Sequence, residues 1–391
     1  MASRRATALA IALFVFGFGE ELWFRYLPEY LRGFGASAFA VGLFGTLKDT
    51  LDAAYAYPGG VISDRLGTRR ALLLFGGLST LGFAIFALWN AAAGVFVGLV
   101  FVMAWASLGL PATFSLVGEE LEGSRRVVGF TVQAILKRVP IVLAPPLGGL
   151  LLERYGMRGG MRIGFIVSIV MSVAMLAGLE RGLREAPSTS AHAPPPLDVS
   201  AHPRLRPALR QLLVADCLIR LCEGLPDVFL VVWAIEIVRV TPAQFGLLTS
   251  ILMGTAIASY LPAAVLAGRT EKKPFVVLTY AFFTLYPLAV LASRSFLHLA
   301  AASVVGGLRE IGEPARKALI VDLSDPRARG RTVGTYYAIR GFTVAGAAAI
   351  GGGLWTIRPA WTFLAAGALG VAGTAWAAAF LPPAASREVR S

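Results

Sequence analysis

The chain alternates long apolar runs with short polar breaks. Thr7–Gly19, Val95–Val117, Ile163–Leu179, Thr241–Gly268 and Trp361–Leu381 are the clearest of the apolar runs. Several approach the roughly 20 residues that a helix needs to cross a hydrocarbon core of about 30 Å. A transmembrane barrel would instead show short alternating segments. The pattern predicts helices over 6–30, 38–62, 69–90, 93–117, 127–152, 161–181, 208–235, 242–267, 274–293, 297–320, 332–356 and 360–382. The chain therefore reads as an all-α membrane protein with twelve transmembrane helices.

Composition agrees. Hydrophobic residues make up 56% of the 391 positions and charged residues 15%, where a soluble domain carries about 25% charged residues. The net charge of +13 does not imply nucleic acid, because the basic residues are spread over short loops between spans. With both termini cytoplasmic, the inner loops hold Arg65, Arg69 and Arg70, then Arg125 and Arg126, then Arg269, Lys272 and Lys273, then Arg327, Arg329 and Arg331. The opposite loops hold fewer, which sets the orientation of a multi-pass protein of the cell (inner) membrane. Arg4 and Arg5 anchor the first span, and Glu20 and Glu21 follow it without a small-residue cleavage site, so it reads as retained rather than as a signal peptide. Cys217 and Cys222 read as small buried residues, with neither disulfide nor metal spacing.

The segment 185–207, rich in proline, serine and alanine, reads as an extended cytoplasmic linker. It divides the chain into two six-helix bundles, 1–184 and 208–391. The halves repeat at an offset of about 204: Glu20 with Glu223, Gly42 with Gly246, Pro58 with Pro262, Pro111 with Pro314, and Gly148-Gly149 with Gly352-Gly353. Proline and glycine mark kinks and close helix contacts, so these matches predict two pseudo-symmetric bundles. Repeated halves with a site near the bilayer midplane are a transporter architecture.

After the second span the chain reads Gly60, three residues, Asp64-Arg65, Leu66, Gly67, Thr68, Arg69-Arg70. This resembles the loop between helices 2 and 3 of the major facilitator superfamily, and every position of that pattern matches. The resemblance implies secondary transport by alternating access, with Gly60, Asp64, Arg65, Gly67, Arg69 and Arg70 as a conformational latch. It also implies that Asp64 meets the start of helix 11 near Arg331 and Thr332. In the second half, Gly268 stands where Asp64 does. On helix 5, Ala144-Pro145-Pro146-Leu147-Gly148-Gly149 is similar to the end of a motif found in exporters of the family, with Ala144 in place of its first glycine.

Ionisable residues within spans are costly and usually functional. The candidate substrate- or ion-binding residues are Glu20, Lys48, Asp49, Asp52, Lys137, Arg138, Arg220, Glu223, Arg309, Glu310, Glu313 and Arg340. Asp216, Arg220, Glu223 and Asp227 follow helical spacing and form one stripe. Arg309, Glu310, Glu313, Arg316 and Lys317 form adjacent faces of helix 10. Glu21 and Arg25 are an i, i+4 pair. Mutual pairing is the ordinary reading of any one of these charges. As a set they exceed what structure requires, since apolar packing serves as well. Five lysines stand against thirty-one arginines, and Lys48, Lys137 and Lys317 fall within spans, where a lysine can lose its proton and an arginine cannot.

Glu20, Asp49, Glu223 and Glu310 are the leading proton carriers, with Asp49 and Glu20 ranked first. Trp23, Phe24, Tyr55, Trp105, Phe114, Trp233, Tyr336 and Tyr337 are candidate cavity aromatics. No enzyme motif, nucleotide-binding loop, metal spacing or cofactor site is present in the sequence. The expectation is a monomeric transporter in the lipid bilayer, moving a small molecule by proton-coupled efflux. The alternatives are a carrier of organic anions or zwitterions, a lipid or lysolipid flippase, and a non-transporting sensor.

Overall fold

A computed structural model describes residues 4–108, 124–182, 205–267, 271–324 and 329–381. Most of those residues are helical, with no strand among them. The helices are α1 (Arg4–Glu21), α2 (Leu27–Arg32), α3 (Ala38–Leu66), α4 (Thr68–Leu88), α5 (Ala92–Met103), α6 (Ser124–Gly182), α7 (Pro207–Gly224), α8 (Phe229–Val232), α9 (Pro242–Ala267), α10 (Lys272–Ala292), α11 (Phe296–Leu308), α12 (Glu313–Leu323), α13 (Arg329–Ala345), α14 (Ala347–Ile357) and α15 (Pro359–Phe380). α6 contains two of the predicted spans, joined at Gly156 with φ 72°, a conformation that glycine adopts without strain. Stretches of α4, α6, α9, α10 and α15 are long and apolar enough to cross a bilayer. The linker 185–207 and Phe114 fall largely or wholly outside the described residues.

The predicted spans differ from the observed helices mainly at prolines. The first span breaks after Glu21 and resumes at Leu27, because Pro28 cannot donate a helical hydrogen bond and its ring displaces the carbonyl four residues earlier. The seventh breaks after Gly224, ahead of Pro226, so the expected stripe ends at Glu223, and Asp227 lies beyond it, exposed. The tenth breaks between Leu308 and Glu313, ahead of Pro314. Arg309 and Glu310 therefore sit in a turn rather than on one helix face with Glu313. The freed Gly312 amide donates to Thr279 Oγ1 at 2.5 Å.

Two compact units form. One comprises Met1–Ala36, Leu47–Leu197 and Thr241–Ser250; the other comprises Ser37–Thr46, Asp198–Val240 and Ile251–Ser391. The two short segments, each grouped with the opposite sequence half, are related by the same offset of 204 that relates the repeats.

In the first unit, Gly148 packs on the Leu22 backbone where the first span breaks, and Gly149 packs on Pro242 and Ala243. Gly246 lies against Pro145 and Pro146. The glycines of the exporter-like stretch are thus occupied in close backbone packing. Pro146 leaves the Val142 carbonyl without its helical partner, and Ser250 Oγ donates to that oxygen at 2.5 Å. Tyr26 hydroxyl lies 2.7 Å from Pro145 O and 2.9 Å from Pro242 O. Trp23 is buried among Phe83, Phe86 and Phe165. Its indole N–H donates to Ser168 Oγ at 2.8 Å, as a buried tryptophan requires.

The second unit repeats this plan. Gly351 packs on the Leu225 backbone at the break of the seventh span as Gly148 does on Leu22, so the structural counterparts of Gly148-Gly149 are Gly351-Gly352, one residue before the pair that the sequence offset matched. Gly42 and Gly352 meet where α3 approaches α14. Thr46 Oγ1 accepts the Ala349 amide at 3.0 Å, satisfying one of the unpaired donors in the first turn of α14. Thr46 and Ser250 are repeat counterparts, and each serves a backbone group that its neighbour helix leaves unpaired. Ser250→Ala should lower stability by about 1–3 kcal/mol, the cost of a buried unpaired carbonyl; thermal unfolding in detergent measures it.

Candidate functional site

The second unit gathers charge around α7. Asp216, Arg220 and Glu223 stand on one face of that helix at i, i+4 and i+7. Asp216 is 1% exposed and Arg316, from α12, is 2% exposed. Arg316 Nη1 donates to Asp216 Oδ2 at 2.5 Å. Its Nε and Nη2 donate to Glu313 at 2.7–2.9 Å. Tyr280, from α10, donates to Asp216 Oδ1 at 3.2 Å, and Tyr336, from α13, donates to Oδ2 at 2.9 Å. One carboxylate therefore joins four helices. Its oxygens accept a charged donor and two hydroxyls, the conditions under which a buried ion pair is tolerated.

A more open group lies along the same stripe. Glu223 accepts Arg220 Nη1 on one oxygen at 2.5 Å and Arg309 Nη1 on the other at 3.4 Å. These three side chains retain 21%, 26% and 16% exposure for Arg220, Glu223 and Arg309. Arg309 Nε also donates to Gly306 O at 2.7 Å. Its guanidinium lies 4.9 Å from the Phe283 ring centre and 4.8 Å from that of Tyr286, contacts worth about 0.5–2 kcal/mol each. Charges at membrane depth are tolerated where they face the bundle interior or a water-filled cavity, because facing lipid would cost several kcal/mol.

Arg340, on α13, lies 3.6 Å from Asp216 Oδ2 and 5.2 Å from the Tyr337 ring centre. Lys317 reaches Glu313 at 3.4 Å from a largely exposed position. Glu310 is half-buried in the turn before α12.

The other sequence candidates lie in the first unit. Glu20 is half-buried at the end of α1. Arg25 Nε donates to Glu21 at 2.9 Å, as the i, i+4 spacing predicts. Lys48 lies 3.5 Å from Asp49 on α3. Asp52 is exposed, Arg138 is half-buried, and the Lys137 side chain lies outside the described residues. Tyr55 donates to Val100 O at 3.0 Å. Of the latch residues, Gly67 has φ 78°, the left-handed turn expected of it. Arg65 and Arg70 are exposed. Arg69 lies 3.8 Å from Glu180. The surroundings of Gly60 and the Asp64 side chain are outside the described residues.

Arg220, Glu223, Arg309, Glu313 and Arg340 thus belong to one electrostatic network, in which Glu313 and Arg340 contact the Asp216–Arg316 pair and Arg220, Glu223 and Arg309 form a second bonded group. Its centre is the Asp216–Arg316 pair, which sequence reasoning placed on the charged faces and did not select as a site. Tyr280 was missed, since a lone tyrosine in an apolar run carries no signal. Trp23, Trp105, Trp233 and Tyr336 are buried in packing; Cys222 is buried and Cys217 half-buried, and neither forms a disulfide.

A helical membrane chain with kinked, repeated spans and an intramembrane charge network is of the transporter class. The chain belongs to the Major Facilitator Superfamily, whose model matches residues 9–222 and again 212–391. It is a multi-pass membrane protein and a secondary transporter, not an enzyme. None of the curated proteins matches the sequence. Among solved structures, it is similar to a POT family transporter in complex with a thioalcohol-conjugated peptide, at 15% identity over 95% of this chain and 94% of that one, with TM-score 0.77. It is also similar to a POT family transporter in complex with 5-aminolevulinic acid, at 16% identity over 96% and 95%, with TM-score 0.77. A third is a peptide transporter POT in complex with sulfate, at 17% identity over 97% and 94%, with TM-score 0.76. At these identities the likeness is one of fold.

Breaking the central pair should be costly. Asp216→Ala strands Arg316 and should destabilise the protein by about 3–5 kcal/mol, while Asp216→Ala with Arg316→Leu should recover much of that loss. Unfolding midpoints of the three proteins in one detergent test it.

Proposed function

We propose that the protein couples protons to the transport of a small organic acid or zwitterion. The observation that carries the reading is Glu223, one carboxylate shared by two partly open arginines. While ionised, Glu223 competes with a cargo anion for Arg220 and Arg309. A proton on Glu223 removes that competitor and frees both guanidinium groups. Proton and anion then bind together and travel in the same direction, which under an inward proton gradient means uptake.

The alternating-access cycle follows from family membership. The network's cations favour an anionic cargo over a lipophilic cation. The peptide and 5-aminolevulinic acid named in the solved relatives are compatible with a site that offers both charges. The sequence resemblance to exporters rests on Ala144–Gly149, whose glycines serve helix packing, so it adds little support for efflux. The distribution of loop arginines supports a cell-membrane location with cytoplasmic termini. The bundles 1–184 and 208–391 would each act as one moving half of a monomer.

Coupling moves here from Asp49, which lies beside Lys48, to Glu223. Purified protein in proteoliposomes, with labelled 5-aminolevulinic acid as probe, tests this. Wild type should accumulate the probe under an inwardly acidic-to-alkaline gradient and bind it more tightly as pH falls. Glu223→Gln should keep exchange, lose uphill accumulation and lose the pH dependence. Accumulation by Glu223→Gln equal to wild type, or accumulation of lipophilic cations in place of acids, would overturn the reading.

A further inference from the structure

The four arginines of the network are not equally bonded. Arg316 makes hydrogen bonds through three of its nitrogens. Arg309 bonds Gly306 and Glu223. Arg220 bonds Glu223, and its Nε is buried without an acceptor among the described residues. Arg340 makes no hydrogen bond to any described residue. Its Nη1 is buried without a hydrogen-bond acceptor among the described residues, and its side chain is only 14% exposed.

Asp216, its nearest carboxylate, does not fill this need. Oδ2 already accepts Arg316 and Tyr336, and Oδ1 accepts Tyr280. The 3.6 Å separation gives Arg340 Coulomb attraction without a hydrogen bond. Arg340 feels the like charges of Arg220 and Arg316 as well as the opposite charges of Asp216 and Glu313. Unfilled buried donors on a cation cost stability, and like charges nearby add to that cost. A planar guanidinium with free N–H groups matches the two oxygens of a carboxylate or phosphate. Tyr337, beneath the guanidinium, holds its plane without using any of its donors.

We infer that Arg340 is the receptor for the anionic head of the cargo, with Arg220 supplying a second cationic contact, and that it sets selectivity for a free carboxylate or phosphate. This rests on the proposed organic-acid reading and names the residue and the chemical group that would define it. Arg316 is a positioning residue. It occupies Asp216 and so keeps that carboxylate from closing on Arg340.

The test uses the purified full chain in detergent and a panel of amino acids, dipeptides, small carboxylates and organic phosphates. Each carboxylate is paired with its methyl ester. Thermal unfolding and binding titration are read for wild type, Arg340→Gln and Arg340→Lys. Wild type should be stabilised by free acids or phosphates, and by the esters at least tenfold more weakly. Arg340→Gln should lose that discrimination and bind at least tenfold more weakly, with Arg340→Lys intermediate. Its unliganded midpoint should be unchanged or raised, since an underbonded buried cation has been removed.

A lowered midpoint in Arg340→Gln with binding intact makes the arginine a structural partner of Asp216 and overturns the inference alone. Wild-type affinity for the acids in a stable Arg340→Gln does the same. Stabilisation of wild type by no acid or phosphate in the panel overturns the organic-acid reading, and the inference with it.

Discussion

The buried ion pair between Asp216 and Arg316 is the constraint on which the second unit turns. An aspartate this deep would be intolerable alone, so its oxygens have to be filled. They are filled from three other helices: Arg316 on α12, Tyr280 on α10 and Tyr336 on α13. Satisfying one carboxylate therefore sets the approach of four helices. Apolar side chains alone would do this less specifically, because they have no preferred direction. Satisfaction at the centre also decides which charges remain available elsewhere. With Asp216 saturated, Arg340 is left beside it without a hydrogen bond, and Glu223 is left to serve Arg220 and Arg309.

Backbone breaks give the network its shape. Proline interrupts the first, seventh and tenth spans, and glycines from α6 and α14 pack against the breaks at Leu22 and Leu225. A continuous helix would carry Arg309 and Glu310 on the same surface as Glu313. The turn ahead of Pro314 instead sets Arg309 at the end of α11, where it bonds Gly306 O and reaches Glu223. Ser250 and Thr46 show the same economy at repeat-related positions, one serving a carbonyl that a proline orphaned and the other an amide at a helix start.

Much of this was legible in the sequence. Apolar run length gave the helical membrane class, and the Gly60–Arg70 pattern with the half-repeat gave the family. The i, i+4, i+7 spacing placed Asp216, Arg220 and Glu223 on one face, and Glu21 with Arg25 emerged as the expected pair. The repeated glycines marked several of the places where backbones approach, whereas the predicted spans ran through the breaks at Pro28, Pro226 and Pro314. Spacing along one helix could not tell which of the two acids, Asp216 or Glu223, is saturated, because the donors to Asp216 come from helices 60 to 120 residues away. For the same reason Tyr280 was invisible, and Asp227 looked like a continuation of the stripe until the break at Pro226 ended it.

The division has a physical basis. Hydropathy, helical periodicity and glycine act over a few residues, so the sequence alone determined the apolar runs, the repeat and the set of intramembrane charges, while the breaks at Pro28, Pro226 and Pro314 emerged in the structure. Pairing among those charges is a matter of a few ångströms between distant helices. Only the tertiary structure decided that Asp216 belongs to Arg316, that Glu223 is shared by two arginines, and that Arg340 is left with donors to give.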